Sequence, residues 1–284
     1  MDKRHVDRSF SLAATSYDEH AGIQRRIGEA LIQGLSERLM LQPPVQEKCR
    51  LVDAGCGTGY FTDSLISLLQ HGHVQGSAIE SGRGQQNEIL FIALDRSAGM
   101  LDVLKRKHGG TQTTGVELAP LQADLENLPL ATGSSDVIFS NLAMQWLEQP
   151  SNWLDEAVRA LRPGGWLACS TLLPGSLIEI QAAWAGLDSA QHVNAFTAVD
   201  NLRAAAPVNA SLHQRRFTEF FPSALDAMRS VKGVGAHTVL HGARQQLTTP
   251  GRLKAVLAAY EQQRQAEGVP LSYEAGFIYY QKLH

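Results

Sequence analysis

The chain of 284 residues has few of the features that mark secreted, metal-stapled or membrane proteins. It contains only three cysteines, with no C-x-x-C pair, so neither a disulfide scaffold nor a structural zinc site is expected. Its longest apolar runs are six residues, at 89–94 and 255–260, whereas a membrane-spanning helix needs about twenty. No apolar signal core follows the N-terminal M-D-K-R-H-V-D-R. We therefore expect a cytoplasmic protein without membrane association.

An excess of positive charge is also absent. Lys and Arg number 25, Asp and Glu number 28, and the formal net charge is −3. Nucleic-acid binders usually carry a strong basic excess, so a nucleic-acid partner is not expected. Hydrophobic residues make up 44% of the chain, which is enough to bury a substantial core and excludes a wholly disordered chain.

The order of apolar patterns predicts an α/β fold. Apolar residues recur every four positions over 23–39, which predicts a long amphipathic helix. Four short runs rich in strand-forming residues then follow at 50–53, 89–94, 137–140 and 166–172, separated by helical patterns. Later residues predict a strand at 216–221, helices at about 222–231 and 250–266, and a final strand at 273–280. Such alternation indicates a doubly wound, mostly parallel sheet.

A glycine-rich loop is the strongest motif. The segment L-V-D-A-G-C-G-T-G at 51–59 follows a predicted strand and precedes a helix. Glycines let the backbone approach a ligand closely, and a helix N-terminus presents free N–H donors. The dinucleotide pattern G-x-G-x-x-G fails, because Tyr60 and Thr62 stand where its third glycine would be. A nucleoside ligand without pyrophosphate remains, beside the alternative of a tight strand–helix turn without ligand.

The D-x-G-x-G-x-G pattern resembles motif I of the class I S-adenosylmethionine (AdoMet) methyltransferases, whose Rossmann-like sheet has seven strands. The resemblance implies that Asp53 organises the loop near the methionine amino group. It also implies that Asp124 accepts a hydrogen bond from the adenine amino group, while Met100 either packs on the adenine or belongs to the core. The cofactor-binding residues implied in this way are Asp53, Gly55, Gly57, Gly59, Asp95, Met100, Asp124, Leu125 and Asn141.

Asp95 is expected to hold the ribose diol, since it ends the next predicted strand and a carboxylate can accept two O–H donors at once. It lies 36 residues after Gly59, whereas a Rossmann-type unit places this acid about 20 residues on. A stretch rich in Gly, Ser and Gln at 75–87 accounts for most of the excess. We interpret that stretch as a surface loop of unassigned function that leaves the site intact.

Segments outside the glycine loop resemble the malonyl-[acyl-carrier-protein] O-methyltransferases of biotin synthesis. They are S-Y-D-E-H-A at 16–21, S-N-L-A-M-Q-W at 140–146, T-L-L-P-G-S-L at 171–177, D-A-M-R-S-V-K-G-V-G-A at 226–236 and P-L-S-Y-E at 270–274. The resemblance implies methylation of the free carboxyl of a malonyl thioester on acyl carrier protein, with AdoMet as donor and S-adenosylhomocysteine as product. It implies no metal, and His237 and His241 are expected to be structural or surface residues.

Several side chains are candidates for handling the substrate. Tyr17 either orients the substrate from an N-terminal lid or merely packs that lid. Gln145 and Trp146 are placed near the reacting methyl group, with core packing as the other interpretation of Trp146. Arg229 and Lys232 either recognise the carboxylate or the phosphopantetheine arm, or belong to a solvated helix face.

One domain of 1–284 is expected. It comprises an N-terminal helical lid (1–48), an AdoMet-binding core (49–174) and a C-terminal part (175–284) with a substrate or carrier lid at about 222–268 and the final strand. Two other functions stay open: a methyltransferase for another small carboxylic acid or a quinone-type metabolite, and a non-catalytic AdoMet-binding partner protein.

Positive charge is concentrated near the predicted C-terminal lid. Residues 215–254 contain seven basic and two acidic side chains, a net charge of +5, and the remainder of the chain carries −8. Acyl carrier proteins are acidic, so a basic surface beside the substrate opening would attract one. The basic residues are Arg215, Arg216, Arg229, Lys232, Arg244, Arg252 and Lys254.

Overall fold

Seven strands form a single sheet in the computed structural model, which describes residues 3–41, 48–72, 88–109, 114–234 and 249–283. The strands are β1 (Lys48–Ala54), β2 (Glu88–Asp95), β3 (Val116–Gln122), β4 (Ser135–Ser140), β5 (Leu161–Leu172), β6 (Ser211–Phe221) and β7 (Val269–Gln281). Their order across the sheet is β3-β2-β1-β4-β5-β7-β6, and β7 runs antiparallel to both of its neighbours. The predicted mostly parallel, seven-stranded sheet is confirmed.

Helices cover both faces of this sheet. They are α1 (Lys3–Ala13), α2 (Tyr17–His20), α3 (Gly22–Leu41), α4 (Thr62–Gly72), α5 (Ala98–His108), α6 (Pro150–Ala160), α7 (Ile178–Ala185), α8 (Val199–Ala205), α9 (Ala224–Gly233) and α10 (Pro250–Glu261). Within the described residues no helix is both long and apolar enough to cross a membrane.

Alternating side chains of the strands divide the core into two layers. Leu51 and Val52 are both fully buried, but Leu51 belongs to the core cluster that includes residues of α3, α4 and α9, whereas Val52 belongs to the cluster that includes residues of α6 and α8. Successive residues of a strand point to opposite faces, so a strand covered on both sides reads as a continuous apolar run. This is why the sequence predicts β1, β2, β4 and β5 as short apolar runs.

Strand β3 was not predicted from the sequence. It lies at the edge of the sheet, pairs only with β2 among the described strands, and contains Pro120. Proline lacks the N–H donor of a ladder and is tolerated at an edge, where one side of the strand needs no partner. The predicted loop at 75–87 lies outside the described residues.

The strand order reverses between β1 and β4, which positions the site. Strands β2 and β3 lie on one side of β1, and strands β4 and β5 lie on the other. In open α/β sheets a crevice forms at the carboxyl ends of the strands where the order reverses. The residues that follow β1, β2 and β4 therefore face one another across this crevice.

A buried ion pair joins β1, β4 and β5 near their amino ends, away from the crevice. The Asp136 carboxylate accepts a hydrogen bond from the backbone N–H of Arg50 at 2.8 Å. It also forms an ion pair with Arg162, and Asp136 is 3% exposed. Removing one member of a buried pair leaves the other charge without compensation, which is more costly than losing a surface pair.

We predict that Asp136→Ala lowers the free energy of unfolding by about 2–4 kcal/mol, since Arg162 then stays buried without its partner. Urea unfolding followed by circular dichroism measures this change. The matched control is Asp155→Ala on the exposed face of α6, which should change stability by less than about 0.5 kcal/mol. Equal stabilities of the two variants would show that the ion pair is not important for the fold.

Candidate functional site

A cavity of about 460 Å³ opens at the carboxyl ends of the central strands. The loops after β1, β2 and β4 contribute Gly55, Asp95 and Asn141 to one part of its wall. Helices α1, α2 and α3 cover this part, and helices α7 and α9 enclose the remainder. The cavity thus has a polar half above β1 and β2 and a second half below α7 and α9.

The glycine loop forms the floor of the polar half. Gly55, Gly57 and Gly59 have φ values of +82°, +54° and +76°, a region that side chains other than glycine rarely adopt. The backbone N–H groups of Gly55 and Cys56 donate to the Leu94 carbonyl oxygen at 2.7 and 3.0 Å. A Cβ on Gly57 would meet no atom within 4 Å, so this part of the loop leaves open space beside the backbone.

Asp95 holds the glycine loop and the start of α5 together. One carboxylate oxygen, Oδ2, accepts from the Gly57 N–H at 2.9 Å, and the other, Oδ1, accepts from the Ser97 N–H at 2.8 Å. Burial raises the pKa of Asp95, although these backbone hydrogen bonds favour the ionised form. Asp95 lines the cavity, and further lone pairs of its two oxygens remain for ligand hydroxyls.

Asp53 lies behind the loop and is 2% exposed. Its Oδ2 is buried and has no hydrogen-bond partner among the described residues. Burial, and secondarily the nearby Asp95, raises the pKa of Asp53 to about 8. A buried acceptor without a donor is costly, and a positively charged donor arriving in the site would relieve that cost. Asp53 itself is not among the residues that line the cavity.

The N-terminal segment covers the polar half. Phe10 and Tyr17 both line the cavity, and they pack with Met100 of α5 in a small apolar cluster. The Phe10 ring meets the edge of Trp146 with 5.3 Å between centroids. Burial and the neighbouring Asp95 raise the pKa of Tyr17 well above its usual range, so its hydroxyl stays protonated and able to donate.

Asp18, next to Tyr17, anchors this cover to three other elements. Its Oδ1 accepts from the Thr58 hydroxyl of the glycine loop at 2.8 Å. Its Oδ2 pairs with Lys107 of α5, and Arg25 of α3 lies 3.7 Å from Oδ1. The hydrogen bonds and charges of these partners lower the pKa of Asp18 despite its partial burial. The position of Tyr17 is therefore coupled to the glycine loop.

Two acids meet one arginine at the edge of the polar half. Arg96 forms ion pairs with Asp7 of α1 at 2.8 Å and with Asp124 at 3.5 Å. Asp124 also caps the short turn Leu125–Asn127 by accepting from the Glu126 N–H at 3.1 Å. Leu125 lines the cavity, whereas Asp124 does not.

The predicted residues after β4 are held by hydrogen bonds to other parts of the protein. The Asn141 amide nitrogen donates to the Gln24 carbonyl oxygen at 3.1 Å, and its amide oxygen accepts from the Ser170 hydroxyl at 2.7 Å. The Gln145 amide nitrogen donates to the Leu142 carbonyl oxygen at 2.7 Å. Asn141, Gln145 and Trp146 all line the cavity, so the structure brings these candidates together.

The second half of the cavity is largely apolar. Its walls are formed by Leu172, Leu177, Ile180, Trp184, Val193, Phe196, Met228, Val231 and Val234. Arg229 and Lys232 do not line it, because Met228 and Val231 occupy the inward face of α9 and leave Arg229 and Lys232 on the other side. Arg229 lies 3.7 Å from Asp226. Direct contact of Arg229 or Lys232 with a substrate inside the cavity is therefore not supported.

The cavity residues that the sequence reasoning did not name as candidates include Gln24, Tyr273, Trp184 and His192. Gln24 lies in the long predicted helix, and Tyr273 lies in the P-L-S-Y-E segment. The family resemblance included that segment but assigned no role to Tyr273. No signal in the sequence indicated that Trp184 and His192 line the same cavity or contact each other. The predicted His237 and His241 lie outside the described residues.

Comparisons with known proteins agree with this arrangement. A family model described as a methyltransferase domain matches residues 52–169. The malonyl-[acyl-carrier protein] O-methyltransferase of Hahella chejuensis is 37% identical, and the match covers 100% of this chain and 92% of that protein. The biotin biosynthesis bifunctional protein BioHC of Cellvibrio japonicus is 35% identical over 98% of this chain, which spans 50% of that protein.

A solved structure shares the fold at low sequence identity. The YcgJ protein of Bacillus subtilis superposes with a TM-score of 0.54, covering 88% of this chain and 98% of that chain at 14% identity. At such identity the likeness shows the fold alone.

We predict that Asp53→Asn makes the ligand-free protein more stable at pH 8. The folded state keeps the Asp53 proton up to about pH 8, whereas an unfolded aspartate loses it near pH 4, so stability falls as the pH rises between these values. The variant lacks this loss of stability. Its free energy of unfolding in urea at pH 8 should therefore exceed that of the wild type by at least about 1 kcal/mol. A pH-independent difference between wild type and variant would contradict this account, and Asp102→Asn on the exposed face of α5 is the control.

Proposed function

This chain belongs to the malonyl-[acyl-carrier protein] O-methyltransferase family, and we propose that it methylates the free carboxylate of a malonyl thioester carried on acyl carrier protein. In this proposal AdoMet is the methyl donor, and the product ester starts pimeloyl synthesis for biotin. The observation that carries the proposal is a single cavity that joins a glycine-rich, acidic half to an apolar half. Similarity to the Hahella chejuensis enzyme along the whole chain supports the same substrate class.

The acidic half suits a nucleoside that carries positive charge. Asp95 faces the cavity, Asp53 has a buried oxygen without a donor, and Gly57 leaves open space beside the loop. A ribose diol would donate to Asp95, and an ammonium group would satisfy Asp53. Gly55, Gly59, Met100, Asp124, Leu125 and Asn141 complete the proposed cofactor-binding set, with Asp124 acting at the adenine edge beside Leu125.

The chemistry requires alignment rather than a strong base. A malonyl carboxylate has a pKa near about 4 and is ionised at neutral pH. AdoMet supplies a methyl group on a positively charged sulfur, so the bond from the methyl carbon to a carboxylate oxygen forms as the sulfur–methyl bond breaks. The protein has to hold the oxygen in line with the methyl group and exclude water. The proposed N-terminal lid, through its described helices α1 to α3, and the apolar walls formed with α7 and α9 would do both.

Tyr17 is the proposed orienting residue. Its protonated hydroxyl can donate to a substrate oxygen without forming an ion pair, which would hold the carboxylate too tightly for reaction. Asp18 would keep Tyr17 in place through Thr58 and Lys107. Gln145 and Trp146 would bound the substrate on the side of β4.

The proposed carrier-binding surface has fewer available basic side chains than the sequence indicates. Arg216, Arg229 and Arg252 each pair with an acid, namely Glu274, Asp226 and Asp188. Among the described residues of the basic segment, Arg215, Lys232 and Lys254 are exposed and form no ion pair with an acid. These three side chains remain available to attract an acidic carrier protein.

The first experiment measures methyl transfer to malonyl-acyl carrier protein, with the methyl ester detected by mass spectrometry. We predict that kcat/KM is at least about 100-fold higher for the carrier-bound substrate than for free malonate, with malonyl-CoA between them. Equal turnover of all three would favour a methyltransferase for another small acid. Binding of AdoMet without transfer to any malonyl thioester would favour a non-catalytic binding partner.

A second prediction concerns Tyr17. We expect Tyr17→Phe to lower kcat by about tenfold, because a hydrogen bond to a charged group is lost while the ring still packs against Phe10 and Met100. AdoMet affinity, measured by calorimetry, should change by less than about twofold. Wild-type turnover of the variant would remove Tyr17 from the mechanism.

A third prediction concerns the carrier surface. We expect the double variant Lys232→Glu/Lys254→Glu to raise KM for malonyl-acyl carrier protein by about tenfold at low salt, with KM for AdoMet unchanged. Added salt should raise the wild-type KM for the carrier and shrink the difference between the two enzymes. The matched control is the double variant Lys105→Glu/Arg203→Glu, which reverses the same number of charges at exposed residues of α5 and α8, outside the basic segment. If this control and Lys232→Glu/Lys254→Glu behave alike, the surface is not the docking site.

A further inference from the structure

His192 is an imidazole in the wall of the largely apolar half of the cavity. It lies in the connection between α7 and α8, and its ring stacks on Trp184 with 3.8 Å between centroids and 7° between planes. Both rings line the cavity. The stacking fixes the plane of the imidazole.

A second contact fixes the rotation of the ring. The Nε2 atom of His192 lies 2.7 Å from Oδ1 of Asp188. The same oxygen accepts from the Ala190 N–H at 3.1 Å, and Oδ2 of Asp188 pairs with Arg252. These partners lower the pKa of Asp188, so it is an anion that accepts from Nε2–H. The Nδ1 atom is then the nitrogen left for a ligand.

The cluster of His192, Asp188 and Arg252 can accept one further negative charge. Asp188 pairs with both Arg252 and His192, so the cluster sets two basic side chains against one carboxylate. Among the described residues lining the cavity, Arg96 is the other cationic side chain, and both Asp7 and Asp124 pair with it. A carboxylate entering this low-dielectric cavity needs such a charge, because burying an unpaired anion is costly.

We propose that His192 is the residue that binds the substrate carboxylate. In this proposal the ring is the imidazolium, so that Nε2–H donates to Asp188 and Nδ1–H donates to the oxygen that does not receive the methyl group. This inference rests on the proposed function, because it assigns the recognition of the acid within that site. Asp188, Arg252 and Trp184 act on the substrate only through the imidazole, as positioning residues. Methylation turns the carboxylate into a neutral ester, so the pairing with His192 is lost on reaction and the product is released more readily than the substrate.

The test compares two carrier substrates that differ only in the carboxylate. The enzyme is loaded with S-adenosylhomocysteine, which cannot donate a methyl group, and is titrated by calorimetry with malonyl- or acetyl-acyl carrier protein. We expect His192→Phe, which keeps a ring on Trp184 but lacks both nitrogen atoms, to raise Kd for the malonyl carrier by about tenfold. Kd for the acetyl carrier should change by less than about twofold.

Controls keep the outcomes distinct. His213→Gln changes an exposed histidine of β6 that does not line the cavity, and it should leave both Kd values unchanged. If His192→Phe fails to fold by circular dichroism, His192→Gln takes its place with the same expectation at a smaller factor. Equal weakening of both carriers, or no weakening of the malonyl carrier, overturns the assignment. Failure of the wild type to bind or methylate the malonyl carrier would instead contradict the proposed function.

Discussion

The site depends on one half-buried carboxylate that is held at both of its oxygens. Asp95 accepts the Gly57 N–H with one oxygen and the Ser97 N–H with the other, and so joins the glycine loop to the start of α5. Its charge also acts on its surroundings, since it contributes to the raised pKa values of Asp53 and Tyr17. A carboxylate at this place makes one half of the cavity favourable for a cation and unfavourable for a second anion. The proposed donor, with its positive sulfur and amino group, fits the first condition.

Because the acidic half is unfavourable for a second anion, the other half of the cavity, where the substrate would lie, has largely apolar walls. A malonyl carboxylate has to come close to the acidic half in order to react. The apolar walls would exclude water there, and in our proposal His192, held by Trp184 and Asp188, offers a place for negative charge. The N-terminal segment and α9 contact each other, since a Cβ on Gly233 of α9 would lie 2.3 Å from the His20 ring of α2. Packing of α2 against α9 therefore links the cover that carries Tyr17 to the helix that bounds the apolar half.

Sequence reasoning named the cavity-lining residues whose positions are set by local chain order, such as Gly55, Gly57 and Asp95. The alternating glycines and the acids at the ends of β1 and β2 lie beside the strands that position them, so motif and fold could be inferred together. Gln24, Tyr273 and His192 were missed because packing of distant elements brings them to the cavity. Arg229 and Lys232 were chosen for their charge alone, although the apolar periodicity of α9 assigns Met228 and Val231 to the inward face. Strand β3 was missed because Pro120 is acceptable only at an edge, which the sequence does not reveal.

A crystal structure of the protein with S-adenosylhomocysteine would test the central claim that this cavity holds the methyl donor in its acidic half. The account predicts both ribose hydroxyls within about 3.2 Å of Asp95, the amino group beside the free oxygen of Asp53, and the apolar half left open for the acyl chain. A nucleoside bound in the apolar half, or outside the cavity with Asp95 still held only by Gly57 and Ser97, would contradict it.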